Sequence, residues 1–254
     1  MPATKQTIVI TYTGEPQQPV RLYWKVKSRA ALVAVFRALK CVEEDADWSG
    51  RWIWLYADEA SGIELAKRPD EVPEGHRPIA LSRIAFPEKD KMVMRFFSPE
   101  RAIAAARFFA PRFGRNAIPD RFRILNRLVA PDEATRGLTY ADTLLDQNVT
   151  IIDPEVESKR VDALLDAAPT VAERRRVYEA DYRARQDRDV PEVEDFPLAM
   201  EEETPEFRDL KMCLRLRAAR AIERWSGKSV TLRDIIYRML GADPDAPLFP
   251  PDIV

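Results

Sequence analysis

The sequence is poor in histidine: His76 is the only one among 254 residues. It lies in the loop sequence EVPEGHRP. A metal site built from several histidines is therefore excluded, and a catalytic triad or histidine general base would depend on this residue alone. Paired carboxylates such as Asp142 and Asp146 could hold a hard cation, but such spacing is also typical of a solvated helix surface. We interpret His76 as a solvated loop residue and predict neither a metal site nor a cofactor.

Glycine is also scarce, with 8 residues in the chain. None of them belongs to a G-x-G-x-x-G motif, so a Rossmann dinucleotide site is unsupported. The stretch WSGKS at 225–229 ends like a phosphate-binding loop, but Ile222 occupies the position of the required first glycine. No G-x-S-x-G motif occurs either. These absences predict a protein that is not an enzyme, with a nuclease that depends on His76 as a minor alternative.

Cysteines and long apolar runs are few as well. The 2 cysteines, Cys41 and Cys213, are far apart in apolar helical patterns, which favours reduced thiols and a reducing compartment. The chain contains no run of about 18 apolar residues, and its N-terminus lacks the apolar segment of a signal peptide. We therefore expect a soluble, cytoplasmic protein that does not contact membranes.

Charge is distributed unevenly along the chain, although the net charge is only −2. Residues 91–130 hold 9 Lys/Arg against 2 Asp/Glu, whereas residues 131–254 hold 18 against 27. Within the second segment, residues 189–209 contain nine acids and one arginine. Such segregation indicates a basic surface that binds a polyanion or pairs with the acidic half of the same chain.

The first 130 residues show strand and helix patterns in alternation. Residues 20–27 alternate between apolar and polar side chains, which predicts a half-buried strand, and Ser28 is placed to cap a helix that runs to about Glu43. Further strands are predicted at 51–57, 79–86, 91–97 and 121–129, and a helix at 99–113. With an extra N-terminal strand at 7–13, the order predicts an α+β, ferredoxin-like β-α-β-β-α-β domain over residues 1–130.

Residues 131–254 are predicted to be mostly α-helical. Helices are expected at 154–167, after Asp153, and at 170–188, where Thr170 and Glu173 form a capping box. The acidic, proline-containing stretch 189–209 is predicted to be an exposed linker. An apolar stripe over 207–225 and a short helix beginning at Thr231 then predict a C-terminal helical hairpin.

Aromatic and basic residues on two predicted strands form the first candidate site. Period-two alternation places Trp52, Trp54 and Tyr56 on one face, and it places Arg21, Tyr23 and Lys25 on one face of the preceding strand. If both faces are open, bases of a single strand could stack on the rings while the cations neutralise phosphates. The alternative is that helices cover this face and the tryptophans belong to the core.

A second basic surface follows on the next helix and strand. Arg101, Phe108 and Arg112 fall on one side of the predicted helix 99–113, and Arg121 and Arg123 lie on one face of the strand after it. Arginine is suited to bidentate phosphate contacts, so these residues could extend a phosphate track. Equally, they could pair with acids of the C-terminal half and hold the two halves together.

Two function classes follow from these patterns. The first is a non-catalytic nucleic-acid-binding protein or subunit for RNA or single strands, which uses the eleven residues just named around the two surfaces. The second is a protein-interaction adaptor or assembly subunit without nucleic-acid contact, in which a protein partner binds the acidic stretch 189–209 or the tail at 248–254. Exposure of the tryptophan face distinguishes the two.

Overall fold

The computed structural model describes residues 7–198 and 208–243, which form one eight-stranded sheet with eight α-helices. The strands are β1 (Val20–Val26), β2 (Val42–Glu44), β3 (Arg51–Leu55), β4 (Ala80–Glu88), β5 (Lys91–Phe96), β6 (Ala117–Leu125), β7 (Val149–Ile151) and β8 (Val193–Pro197). The helices are α1 (Arg29–Ala38), α2 (Pro99–Phe113), α3 (Pro131–Ala134), α4 (Leu138–Thr143), α5 (Pro154–Asp166), α6 (Val171–Asp187), α7 (Arg208–Trp225) and α8 (Leu232–Leu240).

The strand order is β2-β3-β4-β5-β1-β6-β8-β7, and every neighbouring pair is antiparallel except β7 with β8. A mixed α/β protein is therefore confirmed. The ferredoxin-like arrangement as such is not confirmed, because β2 and β3 extend one edge of the sheet and β8 and β7 extend the other. The division at residue 130 stays a prediction, although β8 from the second half pairs directly with β6 from the first.

The predicted helix starts are confirmed at five positions. The side chains of Ser28, Ser98, Asp153, Thr170 and Thr231 each accept a hydrogen bond from a backbone N–H of the first turn. These bonds satisfy donors that have no partner inside the helix.

Several element boundaries differ from prediction; the strand predicted at 121–129, for example, is β6 and spans Ala117–Leu125. The first helix ends at Ala38 and not near Glu43, because Val42–Glu44 pairs with β3 and buries Val42 against Trp54. The strand predicted at 7–13 is wrong, since this segment makes a single bridge between Ile10 and Pro16. The predicted linker 189–209 is wrong over Val193–Pro197, which forms β8, while residues 199–207 lie outside the described part.

The main core lies between one side of the sheet and helices α1, α2 and α7. The apolar positions of β1 behave as predicted: Val20, Leu22, Trp24 and Val26 are buried. Phe36 of α1 and Leu210 and Leu214 of α7 belong to the same cluster, and α7 packs against α2. The other side of the sheet is the one that carries the candidate site.

Both cysteines are free thiols in the structure, with Cys41 buried and Cys213 half-buried. Burial, together with the neighbouring Glu59 carboxylate, raises the pKa of Cys41 to about 12. Its thiol therefore stays protonated near neutral pH, and protonated thiols are poor nucleophiles. In the described part of the chain, no helix combines the length and the apolarity that a membrane crossing requires.

Candidate functional site

The side of the sheet that faces away from α1, α2 and α7 collects eight basic side chains from five strands. Directly opposite residues of antiparallel strands share a face, so the observed strand registers place these residues together. We call this surface the basic face. Its basic residues are Arg21, Lys25, Arg51, Arg83, Lys91, Arg95, Arg121 and Arg123.

Four of these arginines stand in one row across four neighbouring strands. Arg83 is opposite Arg95, Arg95 is opposite Arg21, and Arg21 is opposite Arg123. Strands lie ~4.8 Å apart, so the row spans roughly 14 Å. Like charges placed directly opposite destabilise strand pairing. The row therefore requires anionic groups nearby.

Acids from the second half of the chain supply part of that charge. Asp146 accepts hydrogen bonds from Arg21 Nη1 at 2.6 Å and from Arg123 Nη1 at 3.0 Å. Asp195 of β8, which is fully buried, accepts from Arg123 Nη2 at 2.7 Å, and its other oxygen lies 2.9 Å from Nε of Arg121. For Arg121 and Arg123 the pairing alternative raised by the sequence is the observed arrangement, and Arg21 pairs in the same way.

Asp142 lies between two arginines of the row. Its Oδ1 accepts from Nε of Arg21 at 2.9 Å, and its Oδ2 lies 3.2 Å from Nε of Arg95, without the alignment of a hydrogen bond. Asp142 and Asp146 thus bind arginines and do not form a cation site. Within segments 7–198 and 208–243, no cluster of three or more His, Cys, Asp or Glu residues could hold a metal ion.

Two exposed cations of the basic face have no acidic partner among the described residues. Lys25 and Arg83 are exposed and form no ion pair with any other described residue. Tyr23 lies between Lys25 and the row, half-buried, with the guanidinium carbon of Arg123 at 5.7 Å from its ring centre. Of the predicted site, the structure thus brings together Arg21, Tyr23, Lys25, Arg121 and Arg123.

The predicted aromatic part of the site is wrong in orientation. Trp52 and Trp54 are only 5% and 0% exposed and lie on the helix side of the sheet, where they pack against Phe36, Phe108 and Phe109. Helices α1 and α2 cover them, so neither ring is available to a base. Tyr56 is partly exposed, and its hydroxyl donates to the carbonyl of Ser61.

The residues predicted on α2 also lie apart from the basic face. Phe108 is 8% exposed, and the exposed Arg112 places its guanidinium carbon 3.8 Å from the Phe108 ring centre. Arg101 is buried and donates from Nη2 to Glu15 at 2.7 Å. A continuous phosphate track from α2 to β6 is therefore wrong, because α2 and the basic face are on opposite sides of the sheet.

Arg101 does reach another feature, a cavity of about 480 Å³ at one end of the basic face. We call it the basic cavity. It lies where the segment 9–13 and the loop 75–79 meet the start of β4, and the residues that line it include Arg77, Arg83, Arg95 and Arg101. No aspartate or glutamate is among the described residues of its wall.

Two rings stack beside the basic cavity. The ring centres of Tyr12 and His76 are 3.6 Å apart, and their planes differ by 21°. Both residues line the cavity, and 52% of Tyr12 is exposed. His76 is exposed, as predicted for a loop residue, and the Tyr12 ring packs on one side of its ring. Sequence reasoning missed Tyr12, Arg83 and Arg95. The alternation of side chains in the N-terminal segment and in strands β4 and β5 was the signal that could have identified them.

Carboxylates around this surface have lowered pKa values. Burial alone would raise the pKa of Glu15, but hydrogen bonds from Thr11 and Thr13 and the charge of Arg101 outweigh it and bring it below the ordinary 4.5. The hydrogen bond from Arg21 likewise lowers the pKa of Asp146 below the ordinary 3.8, against an opposing effect of burial. Both groups are held in the ionised form by their partners.

We expect these two carboxylates to make the fold sensitive to acid. A group with a depressed folded-state pKa contributes its full stability above its unfolded pKa and loses it as the pH falls through the folded pKa. The free energy of unfolding, measured by urea denaturation, should therefore decrease as the pH falls below about 4.5. Glu15→Gln should show a shallower decrease than the wild type. A free energy of unfolding that stays constant between about pH 6 and about pH 3 would contradict this.

No family model, curated protein or solved structure matches this chain. Its function is therefore argued from the site itself. The site offers a partly neutralised arginine row, two exposed cations without acidic partners, and a cavity with arginines and stacked rings in its wall.

Proposed function

We propose that this chain is a non-catalytic nucleic-acid-binding protein or subunit that holds a single strand of RNA or DNA on the basic face. The observation that carries the proposal is the pair of exposed cations Lys25 and Arg83, which have no acidic partner among the described residues. Arg83 ends the arginine row, and Lys25 lies beyond Tyr23 on β1. Lysine and arginine that neutralise phosphates release condensed counterions, and this release drives most nucleic-acid binding.

Exposed aromatic rings at the margins of the basic face support a single strand as the ligand. Trp48 is 57% exposed, and the guanidinium carbon of Arg51 lies 4.2 Å from its ring centre. Tyr12 is exposed at the basic cavity. Unpaired bases stack on such rings, and base stacking is available in a single strand but not inside a duplex.

The arrangement of the inner strands supports the same reading. Strands β4, β5, β1 and β6 stand in the order of a ferredoxin-like sheet, with α1 and α2 on one side, and we propose that they form such a unit inside the larger sheet. RNA recognition motifs use the face opposite the helices of a similar sheet. Their aromatic signature is missing here, so the analogy is one of fold alone.

The test is a titration of labelled single-stranded RNA and DNA, followed by fluorescence anisotropy, at about 50 and about 200 mM salt. Lys25→Ala/Arg83→Ala should weaken binding at least about tenfold at the lower salt, and the slope of log K against log salt should become shallower by about 1.4, since each contact contributes about 0.7 for single strands. The matched control is Arg107→Ala/Arg115→Ala, which removes two exposed arginines elsewhere.

The outcomes separate the proposal from general polyanion attraction. If the control pair of substitutions weakened binding as much as the test pair, net charge and not the basic face would be what attracts the strand. Absence of binding at the lower salt would overturn the proposal for this chain. Circular dichroism and thermal unfolding establish that each variant is folded.

A second candidate function is a protein-interaction adaptor. The observation that favours it is a set of exposed apolar side chains on helices of the second half: Val156, Val171, Met239 and Leu240 are between 50% and 76% exposed. Asp189, at the start of the predicted acidic strip, instead pairs with Arg220 and Arg224 of α7. The tail at 248–254 lies outside the described residues.

A further inference from the structure

The charged side chains in the wall of the basic cavity are all basic. Four arginines line it, no aspartate or glutamate does so among the described residues, and the remaining wall is mostly apolar or hydroxyl-bearing. Its volume of about 480 Å³ lies in the range of small-ligand sites. Four arginines in the wall, with no acid beside them among the described residues, favour an anionic group over an apolar ligand.

Arg101 contributes a buried positive charge to the cavity wall. Its side chain is 6% exposed, and Glu15 engages only its Nη2 atom, at 2.7 Å. The Nη1 atom has almost no accessible surface and no hydrogen-bond partner among the described residues. Arg101 would therefore act on an anionic ligand in the cavity through its charge and not through a hydrogen bond from Nη1.

The charge balance indicates the kind of anion. Arg77 donates only to the backbone carbonyls of Val72 and Asp70, and Arg83 has no ion pair within the described segments. Glu15 compensates Arg101, and Asp142 is shared by Arg95 and Arg21. At least two positive charges of the wall are thus left over. A phosphate monoester carries about −1.5 to −2 at neutral pH, which matches this excess.

The stacked rings indicate what is attached to the anion. Tyr12 and His76 form a flat pair at the cavity, and the outer ring face of an exposed pair is suited to stack on a nucleobase. An inorganic anion would make no use of these rings. A phosphate that is linked to a base uses both the arginines and the rings.

We propose that the basic cavity binds a terminal phosphate monoester. Arg77 and Arg83 supply the uncompensated charge, Arg95 and Arg101 lie in the same wall, and the Tyr12 and His76 pair stacks on the adjoining base. This inference rests on the proposed function, which it deepens: the cavity lies at one end of the basic face and would receive the end of the bound strand. A free nucleoside monophosphate carries the same chemical group and is the other source of it.

Three oligonucleotides of the same sequence test whether the cavity binds the end of a strand or an internal phosphate. One has no terminal phosphate, one is phosphorylated at the 5′ end, and one is phosphorylated at the 3′ end. Anisotropy titration should show that one phosphorylated form binds about tenfold more tightly than the unphosphorylated form, because charge-assisted hydrogen bonds to arginine are strong. Calorimetric titration with adenosine monophosphate, adenosine and inorganic phosphate tests the free ligand.

The variants are chosen to leave the fold intact. Arg101 is unsuitable for substitution, since its loss would leave the buried Glu15 carboxylate without its partner. Arg83→Ala removes an exposed arginine and should abolish the preference for the terminal phosphate. Tyr12→Ala should weaken the monophosphate more than inorganic phosphate. Arg107→Ala, on α2, is the control and should keep the preference unchanged.

Each outcome bears on one of the two proposals or on both. Equal binding of all three oligonucleotides, without binding of adenosine monophosphate, overturns the cavity inference and leaves the basic face standing. Binding of adenosine monophosphate without oligonucleotide binding supports the cavity as a mononucleotide site and overturns the nucleic-acid proposal. If nothing binds, both are overturned. A preference that persists in Arg83→Ala also overturns the inference.

Discussion

Trp54→Ala should lower the free energy of unfolding by about 3–5 kcal/mol, the range for removing a fully buried large aromatic side chain. Trp54 is 0% exposed, and its ring centre lies 5.2 Å from that of Phe108 and 5.1 Å from that of Phe109. The substitution deletes these contacts and leaves a cavity beneath α2. Urea unfolding followed by circular dichroism measures the loss.

Trp48→Ala is the matched control, because Trp48 is the same residue type but 57% exposed. The substitution removes a cation–π contact with Arg51, so it should lower the free energy of unfolding by less than about 1 kcal/mol. If Trp54→Ala cost no more than Trp48→Ala, the burial of Trp54 would be wrong. The comparison also matters for function. Loss of nucleic-acid binding after a substitution of Trp52 or Trp54 would indicate damage to the core and not the loss of base stacking.

Glu15→Ala should be similarly costly, at about 3–5 kcal/mol, because it removes one partner of a buried ion pair. The side chains of Glu15 and Arg101 are 5% and 6% exposed, and Glu15 also accepts hydrogen bonds from Thr11 and Thr13. Without the carboxylate, Arg101 is left charged and poorly solvated in the cavity wall. Thermal and urea unfolding should both show the destabilisation.

Glu71→Ala provides the comparison for a solvated pair. Glu71 pairs with Arg68 at side-chain exposures of 47% and 75%, and exposed pairs contribute about 0–1 kcal/mol. In the double variant Glu15→Ala/Arg101→Met, part of the loss should be recovered, because the unpaired charge is gone. Equal costs for Glu15→Ala and Glu71→Ala would show that the Glu15 pair is not buried in solution.

Local features of the fold could be predicted where the signal is local. A cap such as Ser28 or Thr170 acts on donors within its own first turn, so the spacing of a few residues reveals it. The strand face of Leu22 and Trp24 was evident because the opposite positions are polar. The strand β3 gave no such contrast, since Ile53 and Leu55 alternate with Trp52 and Trp54 and both faces are apolar.

The site could be predicted only in part, because its decisive contacts are long-range. The pairing of Arg21 with Asp142 joins residues 121 apart in sequence, and that of Arg123 with Asp195 joins residues 72 apart. No periodicity reports which acid meets which arginine. The basic cavity is assembled from the segment 9–13, the loop 75–79, strands β4 and β5 and one residue of α2, so it can be recognised only once the topology is known.

The arginine row also has a consequence for the order in which the chain folds. Strands β4, β5, β1 and β6 bring four guanidinium groups side by side, and repulsion opposes their pairing until Asp142, Asp146 and Asp195 arrive. Bringing these acids in requires closing loops of 23 to 125 residues, and the loss of chain entropy precedes the gain from the contacts. The centre of the sheet and the segment 131–197 should therefore become stable in one cooperative step.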